Sequence, residues 1–455
     1  MAKKFNLMII WKALAISMLI LLMLIPLAFV RSVIKGRLEY KKEAVAKITR
    51  SWGGHIVIAA PVLNIPFSRK IKGTYITEYA KFAPKDVNTD VNIISQKRHI
   101  GIFEVPVFEA EITIKGNLES IENITLANKK AGEDVKYNVT DTFISLEIND
   151  LKGISAPEII YNGKKYKFCP TVVGKPLSLN IPEVHGYLNT FSYTKYSRNL
   201  KTVNLKSLSS KIDFNNTDGT FEIKFSIKGS NTISFVPLAK DNSYHIYSKW
   251  TNPNFSGAFL PYAKDINSDG FLADYKINYM ASGISQDLEG SNLSDAIFSV
   301  SLLVPVNNYR SAERAVKYGI LFIILTFIAC FVWEITSKKP IHPFQYISVG
   351  LAMAVFYILL ISISEFITFG LAYIIASTAI ILMITLYVKF AISKNMTFKQ
   401  TGLIALSFVA LYGYLYILLL LQDMALLFGG LGLFVGLAIM MYATRNINWY
   451  DEAKE

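Results

Sequence analysis

Apolar positions run unbroken at the two ends of the chain and alternate with polar ones in the middle. One continuous stretch covers 13–30 (ALAISMLILLMLIPLAFV) and holds no charge; the others crowd between 319 and 443. About 285 mostly polar residues lie between them. A helix rises about 1.5 Å per residue and needs roughly 20 apolar residues to cross a hydrocarbon core. The pattern therefore predicts one crossing, a large water-facing domain, and several further crossings. Six spans are expected, at about 13–30, 317–336, 344–363, 367–388, 402–421 and 425–443, flanked by an N-terminal segment 1–12 and a tail 444–455. Pro26 is expected to kink the first span, because its ring removes a backbone donor and crowds the carbonyl four residues back. The apolar run exceeds the core of a signal peptide, and no small-x-small site precedes Arg31, so the span reads as an uncleaved anchor.

Residues 31–46 (RSVIKGRLEYKKEAVA) are expected to continue as a helix beyond the membrane. After Gly53 and Gly54 the texture changes. Residues 108–115 (FEAEITIK) and 221–228 (FEIKFSIK, closed by Gly229) alternate apolar and polar without error. Phe298, Val300, Leu302, Val304 and Val306 alternate again just before the second span. Such alternation, bounded by Gly, Pro, Asn and Asp, predicts half-buried strands. Turn signals recur at Asn117, Asn162-Gly163, Asp218-Gly219 and Asp269-Gly270. The predicted fold is a multi-pass α-helical membrane protein. A large antiparallel β-rich, sandwich-like domain, 31–316, is inserted between the first span and a five-helix bundle, 317–443.

The net charge of +13 first suggests a nucleic-acid partner. Mapped along the chain, that signal dissolves: 31–314 holds 36 Lys/Arg against 28 Asp/Glu, spread evenly, with no basic run interleaved with aromatics. No nucleic acid is expected; the surplus suits a weak attraction to anionic lipid headgroups. The positive charges do set an orientation. With the N-terminus inside, the inner flanks carry Lys3, Lys4, Lys12, Lys338, Lys339, Lys389, Lys394, Lys399, Arg445 and Lys454, and the short outer loops carry none. Arg31, Lys35 and Arg37 run against this, but they begin a long domain, which translocates largely regardless of charge. Both termini are thus expected in the cytoplasm and the β domain in the periplasm. Cys169 lies in the polar region and Cys330 mid-span, so no disulfide is expected.

The usual catalytic signatures are missing: there is no GxSxG, HExxH, CxxC, Walker loop or GxGxxG before a helix. His55, His99, His185 and His245 stand apart from any ligand at metal spacing and read as surface or hydrogen-bonded residues. No catalytic residue, metal or cofactor is assigned. Ionisable groups near a bilayer ask for a reason. Glu334 is expected at the inner end of the second span, Lys317 at its outer end, Glu365 at the outer end of the third, and Asp423 in the outer turn between the fifth and sixth. Two readings stand: helix-end charges that reach water or pair locally, or a polar site in the bundle including Glu365 and Asp423. His342 and Arg445 join them as candidates, against readings as a turn or cap residue and as part of a basic-aromatic interfacial stretch. Gly429, Gly430, Gly432 and Gly436 form a small-residue face suited to close helix packing. Trp11, Trp333, Tyr346, Trp449 and Tyr450 suit interfacial anchoring.

In this order the chain resembles a known family. Pro26-Leu-Ala-Phe-Val-Arg31, Ala60-Pro61-Val-Leu-Asn-Ile-Pro66, Arg98-His-Ile-Gly101-Ile-Phe103 and Asp150-Leu-Lys152-Gly153-Ile154 are similar to successive motifs of the CreD family of bacterial inner-membrane proteins. So are Trp250-Thr-Asn-Pro253-Asn254-Phe255-Ser-Gly257 through Phe259-Leu-Pro261, then Arg314, Lys317-Tyr318, Glu334, His342-Pro343-Phe-Gln345-Tyr346, Phe356-Tyr357, Ser362, Ser364-Glu365 and Thr444-Arg445-Asn446-Ile-Asn448-Trp449-Tyr450. Ala60 and Lys152 replace a usual Gly and Arg, Asn254 a usual Ser, and Gln422-Asp423 stands where the family often has Glu-Asp. The resemblance implies a link to cell envelope integrity, colicin tolerance and a carbon-source and β-lactam-responsive two-component regulon. It implies no reaction.

Three functions are compatible with these residues. The first is a non-catalytic envelope protein whose β domain binds an envelope protein, glycan or lipid. The second is a transporter of a lipid or small molecule through the later spans. The third is a membrane enzyme acting on envelope glycolipids. The expected partner is the bilayer; the oligomeric state is left open.

Overall fold

A computed structural model describes residues 4–5, 7–71, 74–120, 136–171, 173, 176–182, 200–214, 218–284, 288, 292–304, 308–337, 341–392, 398–421, 424–445 and 450–451. The chain divides into two units, one of Met1–Lys41 with Val306–Glu455 and one of Lys42–Pro305.

In the first unit the apolar stretches are helices. α1 (Leu7–Leu22) and α2 (Leu24–Trp52) meet at Met23. The break has a covalent cause: Pro26 has no N–H to offer the Leu22 carbonyl, and its ring crowds that oxygen. Two stripes run along this pair. Met23, Leu27, Val30 and Ile34 are buried, while Leu14, Met18, Leu21, Ile25 and Phe29 are each more than half exposed. Both stripes are apolar, so one side packs on protein and the other suits hydrocarbon rather than water. α2 also carries the chain straight through the basic stretch that the sequence marked as a helix leaving the membrane.

The later helices are α3 (Asn308–Lys317), α4 (Gly319–Ser337), α5 (Pro343–Ser364), α6 (Phe369–Tyr387), α7 (Phe398–Leu420) and α8 (Ala425–Thr444). Among the described residues, four helical stretches are long and apolar enough to cross a membrane: Leu14–Trp52, Pro343–Ser364, Phe369–Phe390 and Thr401–Leu420. α3 and α4 make a fifth if taken together across a 46° bend, and the apolar part of α8, Leu426–Tyr442, is shorter. The small-residue face of α8 is partly used within the chain. Gly432 lies against the Tyr414 ring and Gly436 against Leu325, leaving no room for a Cβ, whereas Gly429 and Gly430 face open space. Lys4–Phe5 pairs antiparallel with Tyr450–Asp451, so the two ends of the chain lie side by side.

In the second unit the alternating segments are strands of two sheets. The first sheet runs Lys206–Lys211, Phe143–Ile148, Ile56–Ile71, Thr232–Val236, Phe298–Leu302, Pro253–Gly257, with Thr74–Phe82 and Lys136–Tyr137 also on Ile56–Ile71. The second runs Ala263–Asn267, Gly270–Asn278, Asp241–Ser248, Asp86–Ile100, Phe103–Leu118, Gly219–Ser230, Glu158–Tyr161, Lys164–Lys167. Alternation selects the inner face. Phe108, Ala110, Ile112 and Ile114 are buried between exposed or half-buried Glu109, Glu111, Thr113 and Lys115. They meet Ile58, Ile144, Leu146, Ile233 and Phe235 of the first sheet in one shared core. Tyr275 stacks on Phe298 there at 4.3 Å, and Tyr244 meets the same ring edge-on at 4.9 Å. Each fully buried Phe or Ile adds roughly 1.5–3 kcal/mol of apolar burial, which holds the sheets face to face.

The sheets are mixed rather than purely antiparallel. Thr232–Val236 lies parallel to Ile56–Ile71, and Asp241–Ser248 parallel to Asp86–Ile100. Period-two alternation is the same in either strand direction, and these partners lie too far apart in sequence for a hairpin to set it. Asn162 and Gly163 form the expected two-residue hairpin, with φ of 47° and 80°. Asn117 does not turn the chain. It lies inside Phe103–Leu118, where its amide donates to the Asp86 carboxylate at 2.9 Å. The expected Asp269-Gly270 turn is displaced by one residue, since Asn267 pairs with Gly270 and Ser268-Asp269 make the loop.

Candidate functional site

α5 separates the ionisable candidates of the helical unit. Its 22 residues span about 33 Å at 1.5 Å per residue. At its start lies Glu334 of α4, only 5% exposed. The Tyr346 hydroxyl donates to Glu334 Oε2 at 3.0 Å, and the Ile341 N–H donates to Oε1 at 3.1 Å. A buried carboxylate is costly unless its oxygens accept hydrogen bonds. Both donors come from the segment entering α5, so Glu334 ties the end of α4 to the beginning of α5. Tyr346 departs from its expected interfacial role: it is buried, edge-on to Phe327 at 5.6 Å, with its hydroxyl turned to the carboxylate.

His342 is the N-cap of α5. Its Nδ1 accepts from the Phe344 N–H at 3.2 Å, while Gln345 Oε1 accepts from the His342 N–H at 3.0 Å. This reciprocal arrangement, with Pro343 at the first helical position, fits donors that the helix cannot satisfy itself. At the far end, Glu365 caps α5 with a side chain 7% exposed, 3.5 Å from Nε of Arg37 on α2. The guanidinium is half exposed, which limits such a pair to roughly 0–1 kcal/mol. Arg445 follows α8, exposed, with its guanidinium 4.1 Å from the Tyr442 ring centre. Asp423 lies outside the described residues. The candidates therefore do not converge on one centre. Glu334 and His342 share one end of α5, Glu365 lies at the other, and Arg445 stands at the end of α8.

In the β unit, His55 Nε2 lies 2.7 Å from Ser234 Oγ, which lies 2.6 Å from Ser299 Oγ. Burial pushes the His55 imidazole down to about 4, so it is neutral at neutral pH. Ser234 is fully buried, and His55 is half-buried. His245 Nδ1 lies 2.7 Å from Asp274 Oδ1, His99 is exposed, and His185 lies outside the described residues. Among the described residues no three His, Cys, Asp or Glu side chains gather as a metal site.

The family-like motifs of this unit gather where its chain enters and leaves. Trp52 ends α2, and its Nε1–H donates to the Phe108 carbonyl at 3.2 Å. The Arg98 guanidinium lies 4.1 Å from the Trp52 ring centre and the Lys228 ammonium 5.1 Å. Lys152 donates to the Arg50 carbonyl at 3.2 Å, and Gly153 packs on the Lys228 side chain. Two separate motifs, around Arg98 and around Lys152, thus hold the last turn of one helix. At the other boundary, the Trp250 indole donates to the Leu303 carbonyl at 3.0 Å, and Leu303 N–H donates to Asn252 at 3.0 Å. Gly257, with φ of 106°, lets its strand pass against Ile297 and Phe298. Sequence reasoning missed Trp52, which no alternation flags; its only signal was its place at the end of an amphipathic helix just before Gly53-Gly54.

Comparison with known proteins agrees with this arrangement. The family described as Inner membrane protein CreD matches residues 8–450. Inner membrane protein CreD of Escherichia coli (strain K12) is 29% identical over 457 residues, covering 97% of this chain and 93% of that protein. A match over nearly the whole chain takes in the first helix, both sheets and the later helices together, and the chain belongs to the CreD family of inner membrane proteins.

Proposed function

We propose that this protein supports the integrity of the cell envelope under stress, including antibiotic and colicin exposure, through a non-catalytic periplasmic β domain that binds an envelope component. The observation that carries the reading is an open sheet edge. Ala263–Asn267 ends the second sheet, every one of its residues is exposed, and its outer side is free of a further strand among the described residues. On or beside this edge Tyr247, Leu260, Tyr262, Ile266 and Leu272 are each more than two-fifths exposed, with Tyr247 and Leu272 on one face and Ile266 on the other. Cross-strand register aligns Tyr247, Leu272 and Asp265 in one row. Such an edge offers backbone hydrogen bonds to an extended peptide and aromatic faces to a sugar ring. The adjacent ends of the chain fit an even number of crossings with both termini in the cytoplasm.

The test is complementation in a strain lacking the gene, scored by permeability under β-lactam or detergent stress at equal membrane levels. The combined variant Tyr247→Ala, Tyr262→Ala, Leu272→Ser in the full chain is expected to lose the barrier, while Glu334→Gln keeps it. Full rescue by the combined variant, with failure of Glu334→Gln, would transfer the function to the helices.

A further inference from the structure

Three helices of the first unit each turn one face onto a common cleft. α4 contributes Thr326, Cys330 and Trp333, α5 contributes Tyr346 and Val349, and α7 contributes Ser407, Phe408 and Leu411. Along α4 the spacing is four and three residues, so that wall is one helical face, while Ile341 in the link before α5 and Val388 just after α6 complete the lining. The cleft encloses about 100 Å³ and is partly open. Among the described residues no Asp, Glu, Lys, Arg or His lines it.

The hydroxyl protons on its wall are already donated within the protein. Thr326 Oγ1 donates to the Phe322 carbonyl at 2.9 Å, Ser407 Oγ to the Leu403 carbonyl at 2.9 Å, and the Tyr346 hydroxyl to Glu334 at 3.0 Å. Gln345, also at the wall, accepts with its Oε1 from the cap of α5. The lining is mainly hydrocarbon, with the Cys330 sulfur and few polar atoms. Water is a poor occupant of such a space, since it needs two to four polar partners. The volume also selects. An apolar cavity of roughly 150 Å³ admits a benzene ring; this smaller one suits a slim chain better than a fused ring. Beside it, Leu403 and Leu406 of α7 are each more than 60% exposed, so the neighbouring surface is apolar as well.

We infer that this cleft holds one acyl chain of a phospholipid from the surrounding bilayer, wedged between α4, α5 and α7. The chain fills the space beside the Glu334–Tyr346 bond and so acts as part of the packing at that end of α5. This inference is independent of what the β domain binds.

The test uses the full-length protein in nanodiscs of phosphatidylethanolamine and phosphatidylglycerol, with a trace of phosphatidylcholine carrying a diazirine on its acyl chain. After irradiation, adducts are mapped by mass spectrometry. Adducts are expected on Cys330 and Phe408 in addition to the exposed Leu403 and Leu406. Ala329 of α4 also lines the cleft; filling it with Ala329→Phe is expected to lower the Cys330 and Phe408 adducts at least about fivefold and leave those on Leu403 and Leu406 unchanged. Adducts confined to Leu403 and Leu406 in the unaltered protein, or cleft adducts that survive Ala329→Phe, would overturn the inference. Should Ala329→Phe fail to fold, the Cys169→Ser protein decides. Maleimide labelling of Cys330 is expected to speed up on delipidation and slow again when phospholipid is restored; an unchanged rate overturns the inference equally.

Discussion

Replacing Tyr346 with Phe removes one oxygen and leaves the ring in place, which makes it a clean probe of the end of α5. The ring stays edge-on to Phe327, so apolar packing is conserved and only the 3.0 Å bond to Glu334 is lost. A hydrogen bond to a charged group contributes about 1.5–3 kcal/mol, and one between neutral groups about 0.5–1.5 kcal/mol. For a helical unit of this size each kcal/mol moves the unfolding midpoint by roughly 2–4 °C, so Tyr346→Phe is expected to lower it by about 3–12 °C if Glu334 is ionised. The assay is loss of the monodisperse size-exclusion peak on heating in detergent. Glu334→Gln supplies the second arm: with a neutral acceptor, the added loss on Tyr346→Phe should shrink to about 1–6 °C. The difference between arms is the coupling between the two side chains. A change under about 1 °C in both backgrounds would refute the reasoning and mean that Glu334 is satisfied without Tyr346.

Other expectations follow from the same structure. Gly432→Val should destabilise the helical unit by forcing a side chain into the Tyr414 ring, while Gly429→Ala, which faces open space, should leave the same thermal assay unmoved. Arg98→Ala should cost about 0.5–1 kcal/mol through loss of the face of Trp52, read as faster hydrogen exchange in the last turn of α2. His55 gives a pH dependence with a defined sign. Its folded pKa of about 4 lies below the ordinary 6.5, so the stability it confers is complete above about 6.5 and is lost as pH falls towards 4. At 1.36 kcal/mol per unit the effect is at most about 3.4 kcal/mol, reduced by the ring's partial contact with solvent; denaturant unfolding of the β unit at pH 7 and pH 4.5 should show it, and His55→Gln should flatten it.

The chain's own pattern determined much of this protein. Uninterrupted apolar runs without charge leave a helix as the economical way to satisfy the backbone in lipid, and helices occupy those positions. Pro26 determined the break at Met23, because the missing donor is a property of the residue itself. Alternation at 108–115 and 221–228 determined which side chains face the core. Tertiary structure decided what such local signals do not encode. Thr232–Val236 alternates polar and apolar in sequence, yet every position is buried, because the Thr232 and Ser234 hydroxyls pair with Ser301 and Ser299 of the neighbouring strand. Parallel pairing of Thr232–Val236 with Ile56–Ile71 comes from contacts 177 positions apart, as Ile233 lies opposite Ile56. The surroundings of Glu334 depended on the path of the chain into α5, which brings Ile341 and Tyr346 back to a carboxylate that in sequence stands at a helix end. Trp52 likewise gained its role only from Arg98 and Lys228, two cations on strands far from it in sequence. Periodicity reports which face a residue takes; its partners depend on how distant segments meet.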